Sequence, residues 1–329
     1  MSQPLTPAEV ISVSPRNFEE ACFRTFRFQY ENCGVYRQFC ELLSKDPGSV
    51  LRLDQIPFLP VQFFKSHKIT ACENSDIVFE SSGTTGSKTS RHFVNDISYY
   101  ESSFLAGFKE FYGEPSEWVI LALLPSYQER SNSSLVYMAD KLIRHSGKKE
   151  SGFVLNDPLL STMLRDLHSE KVKTMLIGVT YALLDQAETF NGNLEGMVIM
   201  ETGGMKGRRE EITRPAVHEI LKKAFNLSSI HSEYGMTELL SQAYSQSEGI
   251  FRTPGWMKIL ARETDDPQKV LLPGGESFTG ATNIIDLANQ LSCSFIATDD
   301  LCRLHPDGSF EILGRIDHCD IRGCSLMTA

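Results

Sequence analysis

The sequence has 329 residues, 41% of them apolar and 22% charged, which is enough for a substantial buried core and two lobes. Its 32 basic and 42 acidic side chains leave a formal net charge of −10, which excludes a general reader of the nucleic-acid backbone, because such binding needs a clustered basic surface. No stretch approaches membrane-spanning length, and the amino end lacks a basic segment leading into an apolar run, so neither a membrane span nor a secretion signal is expected.

The eight cysteines form no CxxC pair in this large chain, which points to reduced thiols in the cytoplasm. From Ser14 the pattern predicts a helix, with Ser14 as cap, Pro15 in the first turn, and Phe18, Cys22, Phe26 and Tyr30 in a core-facing stripe. After the Pro-rich apolar stretch at 56–61, strand and helix signals alternate. Trp118 to Leu124 is a continuous apolar run closed by Pro125, with a helical pattern following from Asn132 to about Arg144. Thr174 to Val179 and Met197 to Met200 predict further buried strands, separated by helical patterns at Leu159 to Leu167 and Tyr181 to Thr189. The alternation argues for an α/β fold with mostly parallel sheets covered by helices. From about Phe251, short strand-like pieces punctuated by Pro-Gly and Asp-Gly predict a smaller β-rich lobe. The expected organisation is a single domain over 1–329, with lobes at about 1–250 and 251–329. The densest basic cluster, Lys206, Arg208 and Arg209, runs straight into Glu210 and Glu211 and reads as a solvated turn or helix start.

Three stretches carry chemistry. Ser81 to Thr89 spells SSGTTGSKT between the strand-like runs Ile77-Val78-Phe79 and Arg91-His92-Phe93-Val94. Its glycines let the backbone present N–H groups, its hydroxyls add donors and Lys88 adds charge, all of which suit a polyphosphate. It is not a Walker loop, since Ser87 precedes the lysine where that motif needs glycine. Taken alone, such a stretch is more often a surface turn than a phosphate site. His231 to Glu238 spells HSEYGMTE: Glu238 could give a hard oxygen ligand to Mg²⁺, Thr237 a hydroxyl to phosphate, and Tyr234 a flat face to a base. Alone, it reads as a turn before a helix capped by Thr237. The third stretch runs from Thr298-Asp299-Asp300-Leu301, through a hairpin turn at Asp307-Gly308, to Gly314-Arg315-Ile316-Asp317. Asp300 could accept both ribose hydroxyls and Arg315 could reach a phosphate oxygen; separately they would be a loop carboxylate and a surface ion pair.

In this order the stretches resemble the adenylate-forming superfamily of acyl-CoA synthetases, luciferases and peptide-synthetase adenylation domains, with its SSGTTG-type loop, YGMTE-type segment, T-G-D-type loop and GR-x-D segment. The resemblance spans 81–323 and implies that family's large-domain fold, with ATP and Mg²⁺ as cofactors. It places Ser82, Gly83, Thr84, Thr85, Gly86 and Lys88 on the triphosphate loop, with Lys88 catalytic. Gly203 and Gly204 fall on the segment lining adenine, and Tyr234, Gly235 and Thr237 on the nucleotide-binding segment, Tyr234 stacking on the base. Glu238 falls on the magnesium ligand, Asp300 on the ribose binder and Arg315 on the nucleotide-contacting arginine.

Leu124-Pro125-Ser126, the segment Glu129 to Leu135, the segment Met200 to Arg208 and the ending Ile321 to Leu326 are more similar to the LuxE family, the acyl-protein synthetases of bacterial fatty acid reductase. That resemblance implies activation of a fatty or other carboxylic acid to acyl-AMP and transfer of the acyl group to a thiol. It also implies an acyl-CoA reductase-like protein partner, and acylation of Cys324 near the carboxyl end. CoA as acceptor, in an acyl-CoA ligase, is the alternative, and a non-catalytic subunit of a reductase complex is the rival from another class. Two features depart from the superfamily. Ser87-Lys88-Thr89 stands where Pro-Lys-Gly is usual, and the sequence ends soon after GR-x-D, where full-length members continue into a lid of roughly a hundred residues that carries a lysine to the reacting carboxylate.

Overall fold

A computed structural model describes residues 2–82, 89–125, 132–203, 212–271 and 275–316. One large sheet organises the fold. In its first half Gly152–Phe153, Val119–Leu123, Thr174–Val179, Val198–Thr202 and His231–Tyr234 lie side by side, all parallel. Every residue of Val119–Leu123 and Thr174–Val179 is buried, as apolar runs at the centre of a helix-covered parallel sheet must be. The helices Ser134–Ser146, Leu160–Ser169, Thr180–Thr189 and Arg214–Phe225 connect these strands. The first of them is capped by Ser133, whose side chain accepts from Val136 N, and is closed by Gly147 in the left-handed region at φ 63°.

The sheet is mixed, which narrows the expectation of mostly parallel strands. It continues through Ala243–Ser245, Phe251–Arg252, Phe310–Arg315, Phe295–Leu304, Phe278–Asp286, Met257–Arg262 and Val270–Leu271. Among the described residues, every pairing from Ala243 onward is antiparallel except that of Leu59–Pro60 with Phe295–Leu304. Where the paired strands follow one another closely, as Phe295–Leu304 and Phe310–Arg315 do, the short connection enforces this, because parallel neighbours need a long crossover. Asp307-Gly308 turns the chain between two such strands, Gly308 at φ 82° and His305 N donating to Ser309 O at 2.8 Å. The sheet does not break at residue 250: Phe251 pairs with Ser245 on one side and Phe310 on the other.

The first long helix is Phe18–Asn32, later than the pattern predicts. Ser14 to Asn17 forms a turn instead, in which the Asn17 side-chain oxygen accepts from Ser14 N at 2.8 Å and from its hydroxyl at 3.0 Å. Phe18, Cys22 and Phe26 are buried as the stripe requires. A separate hairpin pairs Ile77–Glu80 with Arg91–Val94.

Candidate functional site

The end of the hairpin that leads into its connecting loop is fastened by Ser81 N donating to Ser90 O at 3.0 Å and Ser90 N donating to Ser81 Oγ at 2.9 Å. Ser82 follows, exposed. Gly83, Thr84, Thr85, Gly86 and Lys88 lie outside the described residues, as do Gly204 and Cys324. Ser90 also lies beside the carboxylate of Glu238 and favours its charged form, so the base of the loop and the acidic end of HSEYGMTE are neighbours.

Strand His231–Tyr234 ends at the carboxyl edge of the parallel half, where ligands of such sheets gather. Tyr234 is buried there, its ring tilted against Phe251 and Phe310, and its hydroxyl donates to Asp300 Oδ2 at 2.7 Å. Asp300 pairs across the antiparallel ladder with Arg315, whose Nε lies 3.4 Å from Asp300 Oδ1. The Arg315 side chain is 82% exposed and free to turn toward a ligand. Tyr234, Asp300 and Arg315 are therefore brought together. Gly203 ends the neighbouring strand at φ 69°, with its carbonyl accepting from Thr180 Oγ1 at 3.0 Å, and Thr202 stands opposite Glu233 in register. A Cβ on Gly235 would meet the Glu233 carboxylate, which would have to shift to admit a side chain there.

The segment after Tyr234 does not start a helix. It is pinned in an irregular turn leading into Ala243–Ser245. His92 Nδ1 bonds Thr237 O at 3.0 Å, Asn289 Nδ2 donates to Glu238 O at 2.7 Å, and Leu240 N and Ser241 N donate to Asp286 Oδ2 at 2.8 and 2.9 Å. Thr237 is thus placed by its carbonyl, with no helix behind it to cap. Burial pushes His92 down to about 4, so it serves as a neutral tie.

Burial raises the Glu238 carboxyl against the hydrogen bond from Ser90, and the charges of Lys65 and Arg315 reach it. A buried carboxylate of this kind is costly to ionise unless a cation joins it. Among the described residues no group of three or more His, Cys, Asp or Glu side chains could hold a metal. One carboxylate completed by phosphate oxygens and water is an ordinary way to hold Mg²⁺, so Glu238 fits that ion with a nucleotide.

Two further carboxylates sit on the adjacent strands. Glu201 accepts from Arg214 Nε at 3.0 Å and from Thr180 Oγ1 at 3.2 Å. Its burial is outweighed by hydrogen bonding from His218 and the Arg214 charge, which hold it below the ordinary range. Glu233 is raised to about 7 by burial, with the charge of Glu201 adding and a hydrogen bond from Thr202 opposing. Sequence reasoning passes over both. A charged residue inside a strand at the sheet's carboxyl edge is the one signal that marks them. It also passes over Gln62 and Lys65, whose proximity to the site comes entirely from tertiary structure.

Comparison with known proteins agrees with these motifs. The family model described as acyl-protein synthetase, LuxE, matches residues 12–101. A long-chain-fatty-acid–luciferin-component ligase of Vibrio harveyi is 24% identical over 92% of this chain and 84% of its own length. A Photorhabdus luminescens protein of the same name is 33% identical over 66 residues, 20% of this chain and 56% of that protein. Among solved structures, ATP-bound MatB from Rhodopseudomonas palustris superimposes with a TM-score of 0.52 at 15% identity, covering 74% of this chain and 49% of MatB. The chain thus spans about half of MatB, and this likeness concerns the fold. No helix among the described residues is long and apolar enough to cross a membrane.

Proposed function

Taking as premise that this chain belongs with the LuxE acyl-protein synthetases within the adenylate-forming ligases, we propose that it activates a fatty acid with ATP and passes the acyl group to a thiol. The observation that carries the reading is the hydrogen bond that ties Tyr234 of one sequence motif to Asp300 of another, with Glu238 of the first beside Ser90 at the base of the loop. This supports reading Glu238 as the metal ligand and Asp300 as the ribose acceptor of one site, with the phosphate loop between Ser82 and Thr89 beside it.

In the first step a carboxylate oxygen attacks the α-phosphorus of ATP and the bond to the β-phosphate breaks, giving acyl-AMP and pyrophosphate. In the second, a thiolate attacks the acyl carbonyl and AMP leaves. A carboxylate is a poor electrophile and AMP a good leaving group, so the protein's task is positioning and charge neutralisation. Asp300, its carboxylate oriented by Tyr234, accepts the ribose hydroxyls. Ser82, Gly83, Thr84, Thr85, Gly86 and Lys88 cradle the phosphates, with Gly203 and Gly204 beside the base and Arg315 reaching the nucleotide from its exposed strand end. Glu238 would hold a magnesium ion, which supplies neutralisation of the triphosphate charge. Cys324 is the proposed acyl acceptor and an acyl-CoA reductase-like protein the proposed partner.

Carboxylate-dependent exchange of labelled pyrophosphate into ATP, run across acids of graded chain length, tests the first step. Exchange that peaks with fatty acids supports it, and its absence with every acid turns the reading toward a non-catalytic subunit. AMP release that depends on added CoA would move the acceptor to CoA.

A further inference from the structure

We infer that residues 62–65 form part of the nucleotide site: Gln62 fixes the strand that carries Asp300, and Lys65 brings a cation to the phosphates of MgATP alongside Arg315. The inference rests on the reading of this edge of the sheet as an ATP site.

The path to the site begins with a strand pairing. Leu59 and Pro60 lie in parallel register with Ile296 and Ala297, and Val61 N donates to Ala297 O at 2.9 Å. One residue on, Gln62 Nε2 donates to both oxygens of Asp299, at 2.6 and 2.7 Å. Successive side chains along a strand point to opposite faces, so Gln62 grips the strand from the face away from Asp300. Asp300 is held on its own face by Tyr234. The two bonds together fix the strand's position and the carboxylate's direction.

Asp299 stands where the T-G-D pattern has glycine, and this substitution needs managing. A second carboxylate one residue from Asp300 adds negative charge to a strand that must face an anionic nucleotide, and a strand held only by its ladder could shift to relieve the repulsion. The Gln62 amide answers Asp299 directly. Arg262 adds its charge, and its guanidinium also donates to the Thr298 carbonyl at 2.7 Å.

Lys65 follows Gln62 on the short helix Phe63–Ser66. Its side chain is exposed, and it makes no ion pair among the described residues. The carboxylate of Glu238 lies within electrostatic reach of both Lys65 and Arg315. A lysine ammonium on a flexible four-carbon stem can follow a phosphate over some distance, which a short and already engaged side chain cannot. The developing charge on pyrophosphate gives such a cation its use.

Titration calorimetry of the full chain with MgATP and, separately, with adenosine tests both parts. Lys65→Met should weaken MgATP binding about tenfold, the weight of one charge-assisted contact, leave adenosine binding unchanged, and be rescued by Lys65→Arg. Gln62→Ala should weaken MgATP and adenosine alike, by about fivefold, because it acts through the ribose acceptor. Should that variant not fold, Gln62→Met, which keeps the stem and drops the amide, carries the same measurement. Wild-type MgATP affinity in the folded Lys65 or Gln62 variants overturns the inference, and so does a Lys65→Met loss shared equally by adenosine. A wild-type chain that binds MgATP but exchanges no pyrophosphate with any acid would sink the ligase reading and leave this inference standing. One that binds no MgATP sinks both.

Discussion

The phenol of Tyr234 and the carboxylate of Asp300, 66 residues apart in sequence, meet in a 2.7 Å hydrogen bond that turns one carboxylate oxygen to the phenol and leaves the other near Arg315. Asp300→Ala should therefore weaken MgATP binding by about 1.5–3 kcal/mol, the range for hydrogen bonds to a charged group. Tyr234→Phe keeps the ring and removes only the orienting bond, and should cost about 1 kcal/mol. Equilibrium binding measures both. Unchanged affinity in Asp300→Ala would reassign the residue to holding the strand pair together.

Glu238→Gln keeps the shape of the side chain and removes its charge. If the carboxylate holds magnesium, the loss should be several kcal/mol at the transition state, about 100-fold or more in the rate of pyrophosphate exchange. The fold should survive, with a melting temperature at or above that of the wild type, because a buried ionisable group has been replaced by a neutral one. Wild-type rates in this variant would remove Glu238 from the metal site.

Glu233 makes stability depend on pH in a definite direction. Its carboxyl, raised from 4.5 in the reference state to about 7 in the fold, favours the protonated form. The stabilisation this gives is complete below about 4.5 and is lost as pH rises through 7. His92 and His231, both lowered to about 4 by burial, slope the opposite way and lose stability as pH falls from 6.5 toward 4. Comparison with Glu233→Gln isolates the one group. The variant should gain on the wild type by a few kcal/mol between pH 5 and pH 8, in chemical denaturation at each pH. A difference that stays flat with pH would mean that Glu233 ionises normally.

Cys324 is the proposed carrier of the acyl group. Incubation with MgATP and labelled fatty acid, then denaturation, should leave covalent label that neutral hydroxylamine removes and that Cys324→Ser lacks. The six described cysteines are all unbridged, and five of them are buried, which disfavours them as nucleophiles. Hydroxylamine-sensitive label persisting in Cys324→Ser would point to another acceptor. A wild type that forms acyl-AMP but takes up no label would favour CoA.

The parts of this fold that local pattern governs are legible in the sequence. Val119–Leu123 and Thr174–Val179 are unbroken apolar runs, and Asp307-Gly308 is a turn by its own chemistry. The helix at Phe18 starts late because Asn17, three residues past the predicted cap, offers a better acceptor to Ser14. The segment from Thr237 looks like a helix start until Asp286 and Asn289, nearly fifty residues on, claim its backbone. Motif spacing points to Tyr234 and Asp300 as site residues but does not reveal the bond between them. Gln62 carries no local mark at all, because its partner Asp299 lies 237 residues downstream.

That last separation bears on how the protein is made. Leu59 and Ile296 can pair only once residue 296 has been made, and the ties from Gln62 to Asp299 and from His92 to Ser292 wait on the same stretch. Contacts this distant close large loops and form slowly. A nascent chain leaving the ribosome can assemble its parallel strands early, yet its nucleotide edge stays open until the final strands emerge. Binding of the proposed nucleotide would therefore wait for residues 296–300, and a chain stalled before them should be folded in part and bind none.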